Sequence, residues 1–197
     1  MVTTTASNPR AKRRDAAATR AAILRAAHLR FLRESYDSVG LRDIAGDAGV
    51  DVALISRYFG GKEGLFSEVL WPEDSPEFDP ANHDGNLVEY LTQLVTEGDV
   101  DDRNHRMEMF VMMLRSASSP KAGKIIRQRV NEDVLQPMIA ALGDDAGEWR
   151  ANMLLAILMG VGVLRTVMES DGLTCMVEDR EEYLRRYRQL FAGILNA

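Results

Sequence analysis

The sequence predicts an all-α protein with a small basic N-terminal head and a larger, acidic helical body. Apolar residues recur at helical spacing along most of the chain, and no stretch shows convincing strand alternation. Glycine and proline fall at the joints between these stretches. Charge divides unevenly: residues 1–70 hold 11 Lys or Arg against 8 Asp or Glu, whereas residues 71–197 hold 13 against 22. The net charge of −6 thus hides a basic head, which permits contact with a polyanion at one end while the rest stays acidic.

Composition narrows the function classes. A chain of 197 residues, 46% apolar, can bury a core without a disulfide or metal. Cys175 is the single cysteine, which excludes a disulfide scaffold and a cysteine metal cluster and suits a reducing compartment. His28, His83 and His105 are too scattered for a catalytic metal centre. No nucleophile pattern or phosphate-binding glycine loop occurs, so no catalytic residue, metal or cofactor is expected. The longest apolar run, Met153 to Leu164, has twelve residues against the ~20 of a membrane-spanning helix. With no secretion signal at the N-terminus, the expectation is a cytoplasmic protein that does not enter a membrane.

Residues 1–15 read as a disordered basic arm, either an extra phosphate contact or an ordinary solubilising terminus. From Ala16 to about Arg33 the chain is rich in Ala, Leu and Arg, and Ile23, Ala27 and Phe31 form a stripe at i, i+4, i+8. Ser35 to Gly40 breaks that helix. A short helix follows from Leu41 to Ala48, Gly49 supplies a permissive turn, and Asp51 can cap a third helix from Val52 to about Phe59. Lys62 to Leu70 is a fourth amphipathic piece, stopped by Pro72. The acidic, proline-rich segment from Trp71 to Gly85 reads as a connecting loop. The body should then form helices over Asn86–Thr96, Arg103–Ser116, Ala122–Leu142, Gly147–Glu169 and Arg180–Leu195, with Pro137 bending or ending the third of these. The expected division is a DNA-binding domain over 16–61 and a helical effector-binding and dimerisation domain over 62–197.

The informative stretch is LRDIAGDAGVDVALISRYF, residues 41–59. Two short helices joined by a glycine turn make a helix-turn-helix, whose second helix can enter a major groove. Ile44, Ala45, Val50 and Ile55 should form the small core that sets the angle between them. Val52, Ala53, Ser56 and Arg57 are then the candidates facing DNA. Arg57 can read guanine through O6 and N7 or grip a phosphate, and Val52 or Ala53 can meet a thymine methyl. Tyr58 offers a hydroxyl to a phosphate oxygen. Lys62 places a cation beside free helix amides. Taken singly, Arg57 and Lys62 read as solvated surface charge; the surrounding pattern turns them toward nucleic acid.

On these residues the chain also resembles a known family. Ile23, Leu24, Ala26, Ala27, Phe31, Tyr36, Arg42 to Ala45, Ala48 to Val50, Tyr58, Phe59, Lys62, Glu63 and Leu65 are similar to the DNA-binding domain of the tetracycline-repressor family of bacterial regulators. The resemblance implies an all-helical homodimer, a variable ligand-binding body and repression relieved by a small molecule. It also implies that Tyr58 and Lys62 hold backbone phosphates and that Val52 to Arg57 form the recognition helix. Four positions depart from the family pattern. Arg30 stands at a usually apolar site, Ser35 replaces a glycine, Gly40 replaces the usual Ser or Thr cap, and Asp51 replaces a common serine.

In the body, Met107, Phe110, Met113, Met153 and Ile157 are candidates for an adaptable apolar ligand pocket, although core packing explains the same spacing. Gly160 permits close helix approach, and Tyr183, Tyr187, Leu190, Phe191 and Ile194 form a stripe on the last helix. The resemblance places a dimer contact on these last two helices, with Leu164 among its residues. The expected function is a DNA-binding transcriptional regulator acting on a double-stranded, palindromic operator, a repressor released by a small hydrophobic ligand. A helical adaptor without sequence-specific DNA binding is the competing reading. An enzyme of unknown class, suggested only by Asp144, Asp145 and Glu148, is a second; these acids are more simply helix-capping groups.

Overall fold

The computed structural model describes residues 9–72, 86–96, 100–143, 147–166, 168 and 180–196, with side chains from residue 15 onward except 100–107 and 166. The expected arm at residues 1–8, the connecting loop at 73–85, Cys175 and the side chain of Met107 lie outside this description. Every regular element among the described residues is a helix, as an all-α fold requires. The chain forms two compact units. The first contains residues 1–73 together with 115–125, and the second contains 74–114 and 126–197.

In the first unit, α1 runs Pro9–Arg33, α2 Leu41–Ala48, α3 Val52–Phe59 and α4 Lys62–Leu70. The helix α1 starts seven residues earlier than the expected Ala16, inside the segment read as a disordered arm. Ala, Lys and Arg favour helix there, and proline is tolerated in a first turn, where its missing N–H has no intrahelical partner. Ile23, Ala27, Phe31, Ile44, Ile55, Leu65 and Phe66 are all fully buried and make the core of this unit. Phe66 meets Phe31 edge-on at 4.9 Å and Tyr36 at 5.0 Å between ring centroids. Helix α4, which the sequence assigned to the body, packs on α1 within this unit because Leu65, Phe66, Val69 and Leu70 all turn inward.

The second unit holds α5 Leu87–Thr96, most of α6 Val100–Ser116, the end of α7 Pro120–Val130, α8 Gln136–Leu142, α9 Gly147–Thr166 and α10 Arg180–Leu195. Leu91, Val95, Met138, Ala151, Leu154, Tyr187 and Phe191 form its core. α10 packs on α5 and α9, and α8 packs on α9. The single helix expected over Ala122–Leu142 divides instead: a π turn, Asn131–Leu135, separates α7 from α8. Pro137 sits in the first turn of α8 and cannot donate to a carbonyl one turn back, so the chain loosens just before it. Within α9 the stretch Gly147–Arg165 is long and apolar enough to cross a membrane on length and composition alone, and 17% of it is buried within the chain. Glu148 and Arg150 interrupt it in its first turn.

Candidate nucleic-acid interface

The geometry of α3 begins at its caps. Gly49 ends α2 in the left-handed region at φ 66°, where a side chain would be strained, and its N–H bonds back to Gly46 O at 3.1 Å. The chain then turns into Asp51, whose carboxylate accepts from the Ala53 N–H at 2.7 Å and closes one of the free amides of α3. Gly40, by contrast, makes no side-chain cap on α2, as its sequence implies.

One face of α3 is fixed by Ile55 and Phe59, 0% and 8% exposed. The Arg20 guanidinium lies over the Phe59 ring at 5.3 Å and pairs with Glu68 of α4, so one residue of α1 ties down both the end of α3 and the helix after it. A neighbouring stripe is open: Val52, Ala53, Ser56 and Arg57 are exposed, Val52 at 37%. Tyr58, near the end of α3, and Lys62, the first residue of α4, are half-buried. Of the six residues expected to face DNA, four are exposed and two are half-buried.

Lys62 is held more closely than a solvated surface lysine. Its ammonium stands 4.5 Å from the centre of the Tyr36 ring. Burial lowers its pKa, the charge of Asp37 opposes that and the charge of Lys121 adds to it. Burial, Glu63 and Asp37 together push the Tyr36 phenol up. Lys62 and Lys121 share an open cleft of about 530 Å³ with Gly60 and Gly61, next to the uncapped start of α4.

Sequence reasoning missed two contributors to this surface. Gly64 lies inside α4, where a Cβ would stand 1.9 Å from the Phe59 carbonyl oxygen, so only glycine lets α4 approach the end of α3. A glycine within an otherwise helical run was the available signal. Ser116 and Ser119 are the second contributor. They are 0% and 3% exposed and come from the last residue of α6 and the turn after it, 80 or more residues from the Tyr36 and Asp37 they bond, where the sequence marks only a helix end.

The candidate ligand residues differ in burial. Met113 is 5% exposed, Phe110 and Ile157 are half-buried, and Met153 is 39% exposed. Phe110 does lie against Gly162, where a Cβ would be 2.9 Å from the ring. Of the dimer candidates, Leu164 and Leu190 are exposed at 39% and 44%, and Gly160, Tyr183 and Ile194 are half-buried. Tyr187 and Phe191, expected to face a partner, are buried in the core of their own unit, because that side of α10 packs on α5 and α9. Among the described residues no group of His, Cys, Asp or Glu is placed to hold a metal ion.

Comparison with known proteins agrees with this architecture. No sequence match to a curated protein was found. The fold resembles that of NalD, the secondary repressor of the MexAB-OprM multidrug efflux pump in Pseudomonas aeruginosa, with 21% identity, TM-score 0.63, and coverage of 89% of this chain and 96% of that one. GusR of Salmonella enterica is 18% identical with TM-score 0.55, covering 91% and 96%. A TetR-family regulator from Streptomyces coelicolor is 24% identical with TM-score 0.50, covering 92% and 96%. At these identities the likeness establishes the fold. Residues 23–69 match the family described as bacterial regulatory proteins, tetR family, and residues 90–195, more than half of the chain, match the tetracyclin repressor-like C-terminal domain. The chain belongs to the TetR family of transcriptional regulators.

Proposed function

We propose that the protein is a homodimeric repressor that binds a palindromic operator through α3 and releases it when a small hydrophobic ligand binds the second unit. The observation that carries the reading is the two-faced recognition helix. Ile55 and Phe59 anchor it, while Val52, Ala53, Ser56 and Arg57 stand free. Arg57 suits a guanine edge, and Tyr58 and Lys62 suit phosphates on either side. Dimerisation is supported by the apolar surface that α9 leaves uncovered in the single chain, with Trp149, Met153 and Leu164 exposed at 57%, 39% and 39%, and by Leu190 of α10 at 44%. Two heads related by twofold symmetry would read half-sites about 34 to 36 Å apart. Phe110, Met113 and Ile157 are the described apolar residues proposed to serve the ligand.

Selection of genomic fragments by the purified full chain tests the reading without a guessed operator. Recovery of one palindromic sequence supports it. Enrichment without a reproducible sequence across salt concentrations would favour a non-specific adaptor. The ligand arm is tested by titrating hydrophobic compounds against free and operator-bound protein. Release requires weaker ligand binding to the DNA complex, so equal affinities would reject it.

A further inference from the structure

The first unit is completed by a segment from far along the chain, the corner Arg115–Ser119 between α6 and α7. Its polar contacts converge on the turn between α1 and α2. The Tyr36 N–H donates to Ser116 Oγ at 3.1 Å, in a buried position. Ser119 Oγ donates to Asp37 Oδ1 at 2.9 Å and also accepts from the Ala122 N–H at 3.4 Å, so it caps α7 as well. Arg115 donates to the Arg33 carbonyl at 2.5 Å, at the end of α1. Lys121, two residues past the corner, lies 3.5 Å from Glu63 of α4.

Tyr36 and Asp37 are also the residues that face Lys62, one with its ring and the other with its charge. Buried hydrogen bonds have narrow geometry, so a corner that fixes the Tyr36 backbone and the Asp37 carboxylate also fixes what Lys62 rests on. These contacts reach the end of α1, the turn after it and α4, whereas the fixed face of α3 is held by Ile55, Phe59 and Arg20.

The geometry points to Ser116 and Ser119 as positioning residues for the phosphate contact made by Lys62, so that loosening this corner weakens the phosphate grip while base reading by α3 is left intact. This rests on the DNA-binding reading above.

The test measures affinity of the full chain for its selected operator and for a single-mismatch operator across a salt series. Ser119→Ala and the exposed-site variant Arg115→Gln are compared with Lys62→Ala and with each double variant. The expected result is a uniform loss on both operators, with the slope of log affinity against log salt reduced by up to about 0.9 for each head. The match-to-mismatch ratio should not change, and adding Lys62→Ala should cost less than it does alone. Ser119→Thr, which keeps the hydroxyl, should restore the slope, a readout that mere loss of stability would not move. Wild-type slopes in the corner variants, or full additivity with Lys62→Ala, would overturn the inference while leaving operator binding in place. Failure of the wild-type chain to select an operator would remove both readings.

Discussion

Arg30 of α1 grips Asp47 of α2 through two parallel hydrogen bonds, Nε to Oδ2 at 2.6 Å and Nη2 to Oδ1 at 3.0 Å. Arg30 also reaches Glu34 one turn on, at 3.3 Å. The bond from Arg30 holds the Asp47 carboxyl below its usual pKa. An arginine at a position the family usually keeps apolar thus has a local reason: it fixes the first helix of the helix-turn-helix against α1 by a fork rather than by packing.

Arg30→Met should therefore lower the thermal midpoint, since it leaves Asp47 without its fork. Both side chains are partly exposed, so the deficit should shrink at high salt. Asp47→Ala in the Arg30→Met background should cost less than in the wild type. A midpoint unchanged by Arg30→Met, or a deficit insensitive to salt, would count against this account.

Gly64→Ala is expected to be costly despite adding one methyl group. That carbon would sit 1.9 Å from the Phe59 carbonyl oxygen, which is backbone and cannot swing aside. A loss of about 1–3 kcal/mol in chemical denaturation is expected, with weaker operator binding as α3 and α4 separate. Wild-type stability would show that the two helices do not approach so closely.

Arg57→Ala and Lys62→Ala should separate base reading from phosphate grip. The first should weaken binding and, where Arg57 meets a guanine, relax discrimination at that base by about 1–3 kcal/mol. The second should weaken all sequences alike and lower the salt slope. Binding measured against matched and mismatched operators distinguishes them; an unchanged discrimination ratio for Arg57→Ala assigns that residue to a phosphate.

In the second unit, Arg188 of α10 holds Glu89 of α5 at 2.7 and 2.9 Å, and this bond, against the opposing effect of burial, depresses the Glu89 pKa from its usual 4.5. A carboxylate with a lower pKa when folded stabilises the fold fully above the unfolded value, and that contribution disappears as pH falls through the folded one. Glu89→Gln should cost about 0.5–1 kcal/mol at pH 7, a small figure because both side chains are about a third exposed. Its stability curve should meet that of the wild type in acid. Parallel curves down to pH 2 would refute the assignment.

Tyr187 lies in an apolar core with its hydroxyl buried and, among the described residues, in no well-formed hydrogen bond. Burial, with Tyr183 beside it, pushes its pKa up. An unsatisfied buried hydroxyl is unfavourable, so Tyr187→Phe should leave stability unchanged or raise it by up to about 1–2 kcal/mol. A clear loss of stability would mean that the hydroxyl is bonded after all.

The sequence by itself determined the helices and the motif. Apolar spacing, Gly49 and Asp51 place α2 and α3 almost to the residue, because the signals of a short helix and its caps are local. The exposed face of α3 followed from the same periodicity. Tertiary structure decided which helices belong together. Nothing local shows that α4 packs on α1, that Ser116 and Ser119 close a turn 80 residues earlier, or that Tyr187 and Phe191 turn into their own core. Periodicity tells that a stripe is buried but not against what, and a serine at a helix end looks the same whether it meets water or a buried amide.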